Sequence, residues 1–182
     1  MEKTTQVDKR FIVITGAEST GKTQLAEELS EMLHCNRVPE LSRQYVENLN
    51  RKYTYSDVED IARLQIKQFE EVINNNTGLT IFDTGLIITK VWFDVVFNQC
   101  PQWLIVAIKK LPVCLHLLCD TDLPWVPDPV RENGGEMRIK LSNIYKNEII
   151  KFGFPYFIVS GKGDERLKNA ITGIKKFGVY TE

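Results

Sequence analysis

The eight residues Gly16-Ala17-Glu18-Ser19-Thr20-Gly21-Lys22-Thr23 constrain this chain more than any others. They match G-x-x-x-x-G-K-[ST] in full, between an apolar run at 11–15 (FIVIT) and a helical pattern at 22–33. The spacing has a chemical reason. Gly16 and Gly21 let the backbone wrap an anion, and the successive N–H groups from Ala17, Glu18, Ser19 and Thr20 to the helix start carry partial positive charge. Lys22 reaches the terminal phosphates of a nucleotide, and Thr23 offers its hydroxyl to Mg²⁺. The loop implies a nucleotide's phosphates with Mg²⁺, and a strand-loop-helix unit to hold them.

The rest of the chain extends that unit. β-Branched apolar runs at 11–15, 35–38, 79–83, 113–119 and 156–160 alternate with helical stretches at 22–33, 41–50, 56–76, 85–98, 102–110, 136–152 and 164–177. The pattern predicts an α/β fold: a five-stranded parallel sheet flanked by helices, with 11–15 as the central strand, in a P-loop NTPase arrangement. Ser56 with Glu59 reads as a capping box, and Leu25, Leu29, Met32 and Leu33 as one apolar helix face. The length of 182 residues suits a single domain, with a polar extension at 1–9. Lys plus Arg number 23 against 24 Asp plus Glu, so no global field favours nucleic acid. The apolar run after the polar start is too short for a signal peptide or a membrane span, so an intracellular, cytoplasmic protein is expected. Cys35, Cys100, Cys114 and Cys119 then read as buried free thiols. Cys114, His116 and Cys119 do not share a strand face, which argues against a metal site there.

A nucleotide-binding loop needs a second magnesium partner, usually an acid closing a neighbouring strand. Asp83, at the end of LTIF, has that position, and its competing use is as a helix N-cap. Glu40 closes the second strand, where a carboxylate can take a proton from a substrate hydroxyl; Arg43 and Tyr45 follow it. Segment 120–135 (DTDLPWVPDPVRENGG) is rich in Pro and Gly and reads, through 138, as a mobile lid. It carries Asp128, Arg131 and Trp125; Arg138 opens the helix that follows, where its charge opposes the dipole. On one helix Arg131 and Arg138 would stand about 10 Å apart, close enough to grip successive phosphates. Trp125 offers a stacking platform for a planar ring. The alternatives are a solvated Arg131 paired with Glu132 or Asp128, and a Glu40 that merely begins a helix.

No N-K-x-D or D-x-x-G accompanies the loop, so a GTPase switch is excluded and a small kinase with a lid remains. GAESTGKT, VPELSRQY, IFDTGLIITKVW, LCDTDLPWVPDPVREN and SGKGDERL together resemble the ribosylnicotinamide kinase domain of the NadR type, in spacing and order from about residue 10 to 175. The resemblance implies ATP-dependent phosphorylation of the 5′-hydroxyl of nicotinamide riboside. It further implies a lid arginine pair at Arg131 and Arg138, a nicotinamide platform at Trp125, and an ATP-base loop from Ser160 through Gly161 and Lys162 to Glu165. That family commonly has Asp-Thr-Asp where this chain has Asp83-Thr84-Gly85. A kinase of another nucleoside or small metabolite, and a nucleotide-binding regulatory module, are the competing readings. The lid arginines favour the enzymes.

Overall fold

Apolar strands without a polar face need cover on both sides, and the chain supplies it in three layers. The computed structural model describes residues 9–127 and 132–180; the N-terminal residues 1–8, Asp128 and Arg131 lie outside them. The strands are β1 (Arg10–Gly16), β2 (Asn36–Val38), β3 (Leu79–Asp83), β4 (Val113–Cys119) and β5 (Tyr156–Val159). All pair in parallel, in the order β2-β3-β1-β4-β5, with β1 central. The helices are α1 (Lys22–Met32), α2 (Leu41–Glu47), α3 (Tyr55–Asn75), α4 (Leu86–Phe97), α5 (Gln102–Lys110), α6 (Gly135–Lys151) and α7 (Asp164–Lys176).

Period two splits β1 between the layers. Ile12 and Ile14 pack with Leu25 and Leu29 of α1 and with Ala170 and Ile174 of α7. Phe11 and Val13 face the other way, onto Phe82 and Phe69, whose rings stack at 3.8 Å. On that side α4, α5 and α6 close a further cluster around Phe93, Leu104 and Ile149. Because every strand runs the same way, the loops after Gly16, Val38, Asp83, Cys119 and Val159 gather at one edge, where ligands of such sheets bind.

Three expectations need correction. The capping box of α3 is Thr54 with Asp57, rather than Ser56 with Glu59. Arg51 holds both Asp57 oxygens at 2.7 and 2.8 Å, and this pairing drives the carboxyl far below the usual range. Met32 is 52% exposed, so it stands apart from the face that buries Leu25, Leu29 and Leu33. All four cysteines are free thiols, but Cys119 alone among them is buried, its thiol pushed up to about 11 by that burial. His116 is buried too: its Nδ1 meets Thr15 Oγ1 at 3.0 Å and its ring lies against Phe154.

Candidate active site

The loop after β1 wraps tightly for reasons visible atom by atom. Gly21 has φ +72, which β-carbon-bearing residues rarely adopt, and a Cβ there would stand 3.1 Å from Leu123 Cδ1. The Ala17 carbonyl accepts from Thr20 Oγ1 at 2.8 Å and from Lys22 Nζ at 2.9 Å. Beside this loop opens a cleft of about 430 Å³. Gly16, Glu18, Ser19, Thr20, Gly21 and Lys22 form one side of it, with Thr23 at the start of α1. Ala17 is buried behind them.

Asp83 lies behind the cleft wall at the end of β3, 2% exposed. Neither carboxylate oxygen has a hydrogen-bond partner. Burial raises its pKa above the usual range, and Glu40 adds to the rise; Thr23, which approaches it short of hydrogen-bond geometry, opposes the rise, as do Lys22 and Arg37. The N-cap of α4 is Gly85, with no side-chain cap, so Asp83 does not serve as the helix cap. Two buried, unpaired carboxylate oxygens beside a threonine hydroxyl form a hard oxygen donor set that suits Mg²⁺, which takes one or two carboxylates and completes its shell with water and phosphate. Thr84, which lines the cleft, has φ +78, and its buried hydroxyl is also unpaired.

Glu40 and Arg43 reach the cleft; Tyr45 does not line it. Glu40 Oε1 accepts from Ser42 Oγ at 2.7 Å, Arg43 Nε donates to Glu47 at 2.9 Å, and the Tyr45 hydroxyl donates to Asp60 at 3.2 Å. Beyond Glu40 the cleft turns apolar, with Ile88, Val91 and Leu141 beside three aromatic side chains, Tyr53, Trp92 and Tyr145. Tyr53 packs edge-on against Trp92 with centroids 4.7 Å apart, and its hydroxyl donates to Glu132 at 3.0 Å. Sequence reasoning missed these rings because each sits in a stretch that reads as helix core or connection.

The described parts of the lid are docked on the loop. Ser19 Oγ donates to the Val126 carbonyl at 3.2 Å and accepts from the Val126 N–H at 3.1 Å. The Glu18 carboxylate accepts from the Glu132 and Asn133 N–H groups at 3.2 and 3.0 Å, and from Asn133 Nδ2 at 3.1 Å. Trp125 stands outside the cleft lining; its ring rests on Gly134, where a Cβ would come within 3.3 Å, and its Nε1 is buried without a partner. Arg138, expected to face transferred phosphate, instead donates to the Glu18, Leu123 and Ser19 carbonyls at 2.9, 2.7 and 2.8 Å.

The loop after β5 stands across the edge, and neither Ser160 nor Gly161 lines the cleft. The Ser160 N–H donates to Asn169 Oδ1 at 2.9 Å, the Gly161 N–H donates to Asp122 Oδ2 at 2.6 Å, and Lys162 is exposed beside them. Arg166, which sequence reasoning passed over, is 4% exposed and bonds Asp122, Gly161, Thr20 and Asp120. Burial works against the Asp122 carboxylate, but Arg166 and the Gly161 N–H outweigh it and hold its pKa below the usual range. The signal for Arg166 was available: like Arg138, it places a cation in the first turn of a helix, against the dipole.

Comparison with known proteins agrees with this architecture. A family model described as an AAA domain matches residues 11–166. The chain is similar to a crystal structure of NadR protein in complex with NR, at 22% identity and a TM-score of 0.78 over 96% of this chain and 52% of that one. A second NadR structure, in complex with NAD and AMP-PNP, matches at 21% identity with a TM-score of 0.79, over 96% of this chain and 51% of that one. Deoxyadenosine kinase from M. mycoides matches at 15% identity and 0.65, over 91% of this chain and 99% of that one. The chain therefore spans about half the length of the NadR proteins and shares its fold with nucleoside kinases. Since the family model covers most of the sequence, from the first strand into the last helix, the chain belongs to the AAA domain family.

Proposed function

We propose that this protein transfers the γ-phosphoryl group of ATP to the 5′-hydroxyl of nicotinamide riboside, giving nicotinamide mononucleotide for NAD salvage. The observation that carries the reading is the continuity of one cleft from a phosphate-binding loop, through a carboxylate, to an aromatic chamber. Nicotinamide riboside has that sequence of parts: a hydroxyl to be phosphorylated, a ribose, and a planar ring with a fixed positive charge. Tyr53 and Trp92 offer π faces to such a cation, and Glu18 and Glu132 add negative charge nearby. The neighbouring NadR structures bind NR in one case, and NAD with AMP-PNP in the other, which supports both the acceptor and the donor.

In this mechanism Glu40, oriented by Ser42, accepts the proton of the 5′-hydroxyl as its oxygen bonds to the γ-phosphorus. The bond from that phosphorus to the β,γ-bridging oxygen breaks, and ADP leaves with the electron pair. Lys22 leaves the Ala17 carbonyl to neutralise charge on the transferring group, while the loop N–H groups hold the phosphates. Thr23 and Asp83 would hold Mg²⁺, which would supply positive charge to offset that of the phosphates. The docked lid excludes water from the transfer. Arg131 and Asp128, which the sequence offers for phosphate transfer and substrate binding, lie outside the described residues.

The test is ADP release, measured by a coupled assay across nicotinamide riboside and the common nucleosides, with Lys22→Ala as control. The proposal expects nicotinamide riboside to have the highest kcat/KM and the control to lose about a thousandfold or more. Turnover of a purine or pyrimidine nucleoside above the riboside would reassign the substrate. Unchanged turnover in a folded Lys22→Ala protein would remove the kinase assignment.

A further inference from the structure

Arginines near transferring phosphates are usually read as groups that touch them. Here the two buried arginines among the described residues hold the loop's carbonyl oxygens. Arg138 and Arg166 are 6% and 4% exposed. Arg138 Nε donates to the Glu18 carbonyl at 2.9 Å and its Nη2 to the Ser19 carbonyl at 2.8 Å, while Arg166 Nη2 donates to the Thr20 carbonyl at 2.8 Å. The flanking carbonyls are occupied as well, Ala17 by Thr20 Oγ1 and Lys22 Nζ, and Gly21 by the Leu25 N–H of α1. Every carbonyl from Ala17 to Gly21 is thus held by a named donor.

A trans peptide is planar, with its C=O and the following N–H pointing in opposite directions. Fixing the oxygens of Glu18, Ser19 and Thr20 away from the cleft therefore aims the N–H groups of Ser19, Thr20 and Gly21 toward it. We infer that Arg138 and Arg166 are positioning residues that brace the loop from behind, so that three consecutive amides meet the phosphates already oriented. Resting on the reading of this loop as the ATP phosphate site, the inference assigns the arginines a role distinct from phosphate contact. To grip phosphate directly, Arg138 would have to abandon three carbonyls, those of Glu18, Ser19 and Leu123.

The brace also links parts. Arg138 belongs to α6, which continues from the lid, and Arg166 belongs to α7, whose first turn holds Gly161 and Asp122. Lid position and the loop after β5 therefore both bear on the orientation of the phosphate-binding amides. A lysine in either place keeps the charge but lacks the planar fork that spans two acceptors.

The experiment uses the full chain, ATP, and inorganic tripolyphosphate as a probe without base or ribose. Arg138→Lys and Arg166→Lys should each weaken tripolyphosphate and ATP binding by about tenfold to a hundredfold in calorimetry. Nicotinamide riboside affinity should stay within about twofold, because the charge and the cleft aromatics remain. In the wild-type protein, NMR should show the amide signals of residues 19–21 shifting on tripolyphosphate addition while the Arg138 and Arg166 Nε–H signals stay in place. That arm decides the matter if either variant fails to fold. Lysine variants that bind tripolyphosphate like wild type, or an Arg138 Nε–H signal that moves with the phosphate, would overturn the brace. A wild-type protein that binds neither tripolyphosphate nor ATP would instead remove the phosphate-site reading itself, and the brace with it.

Discussion

Replacing Gly85 by serine sets local preference against packing. Gly85 is the N-cap of α4 with extended backbone, φ −159 and ψ −177, which a serine can adopt. Serine is a better N-cap than glycine by a few tenths of a kcal/mol, and it restricts the unfolded chain, a further gain of about 0.4–1 kcal/mol. Against this, a Cβ at position 85 would stand 2.8 Å from Val13 Cγ1, where ordinary carbon contacts need about 3.5–4.0 Å. Val13 is 1% exposed on the central strand, and a valine side chain has little rotational freedom with which to yield. Nor can the turn slide away easily, because the Thr84 N–H donates to the Ile14 carbonyl at 3.1 Å and the Ile88 N–H to the Gly85 carbonyl at 3.1 Å. Overpacking of this kind costs about 1–3 kcal/mol, so the net expectation is a loss of about 1 kcal/mol. For a chain of this size that lowers Tm by about 2–4 °C. In a Val13→Ala background the same serine should be neutral or stabilising, and the double-mutant cycle in urea should return a favourable coupling. Gly85→Ser melting at or above wild type would refute the reasoning. The NadR-type domain that this sequence resembles commonly has an acid at this position, so the cycle also asks whether position 13 decides which residue 85 can be.

Asp83→Asn removes a buried carboxylate whose burial raises its pKa. A group raised in the folded state stabilises below its unfolded pKa and loses that contribution as pH rises through the folded value, so the metal-free variant should melt higher than wild type at neutral pH while the magnesium dependence of turnover weakens. A variant melting lower, or titrating magnesium normally, contradicts this. Trp92→Ala should raise the KM for nicotinamide riboside by the equivalent of about 1–3 kcal/mol, and by more than Trp125→Ala, since Trp92 lines the cleft and Trp125 does not. Steady-state kinetics on both variants ranks the two rings. Burial depresses His116 from 6.5 to about 3. Its contribution to stability is therefore full above pH 6.5 and is lost as pH falls toward 3, at up to about 1.4 kcal/mol per pH unit. Urea unfolding between pH 7 and 4 should show that slope in wild type and a shallower one in His116→Gln; equal slopes would refute it.

Some of this architecture was readable and some was not, for physical reasons. The strands at 79–83 and 113–119 were legible to the residue because runs buried on both faces leave an unambiguous apolar signature. The start of α3 was not, since TYSDVED holds two overlapping capping patterns and the Arg51 fork on Asp57 selects between them. Arg138 was legible as an oddity through its clash with the helix dipole, but the sequence could not say whether it faced phosphate or backbone. Tyr53, Trp92 and Tyr145 meet in one cleft from three distant segments, and no local pattern announces such a convergence.

The order of the strands also governs when this protein becomes competent during synthesis. β1 emerges early, yet its neighbours in the sheet are β3 and β4, so Ile14 must wait for Asp83 on one side and Leu117 on the other. Such non-local pairing delays assembly, because the connecting chain must close before either contact rewards it. The carbonyl partners of the phosphate loop come later still, Arg138 from α6 and Arg166 from α7. A nascent chain can thus display the complete G-x-x-x-x-G-K-T motif long before it can hold a nucleotide firmly. On the proposed brace, a ribosome-stalled chain ending before residue 164 should carry the motif without its grip, because α7 (Asp164–Lys176) supplies Arg166.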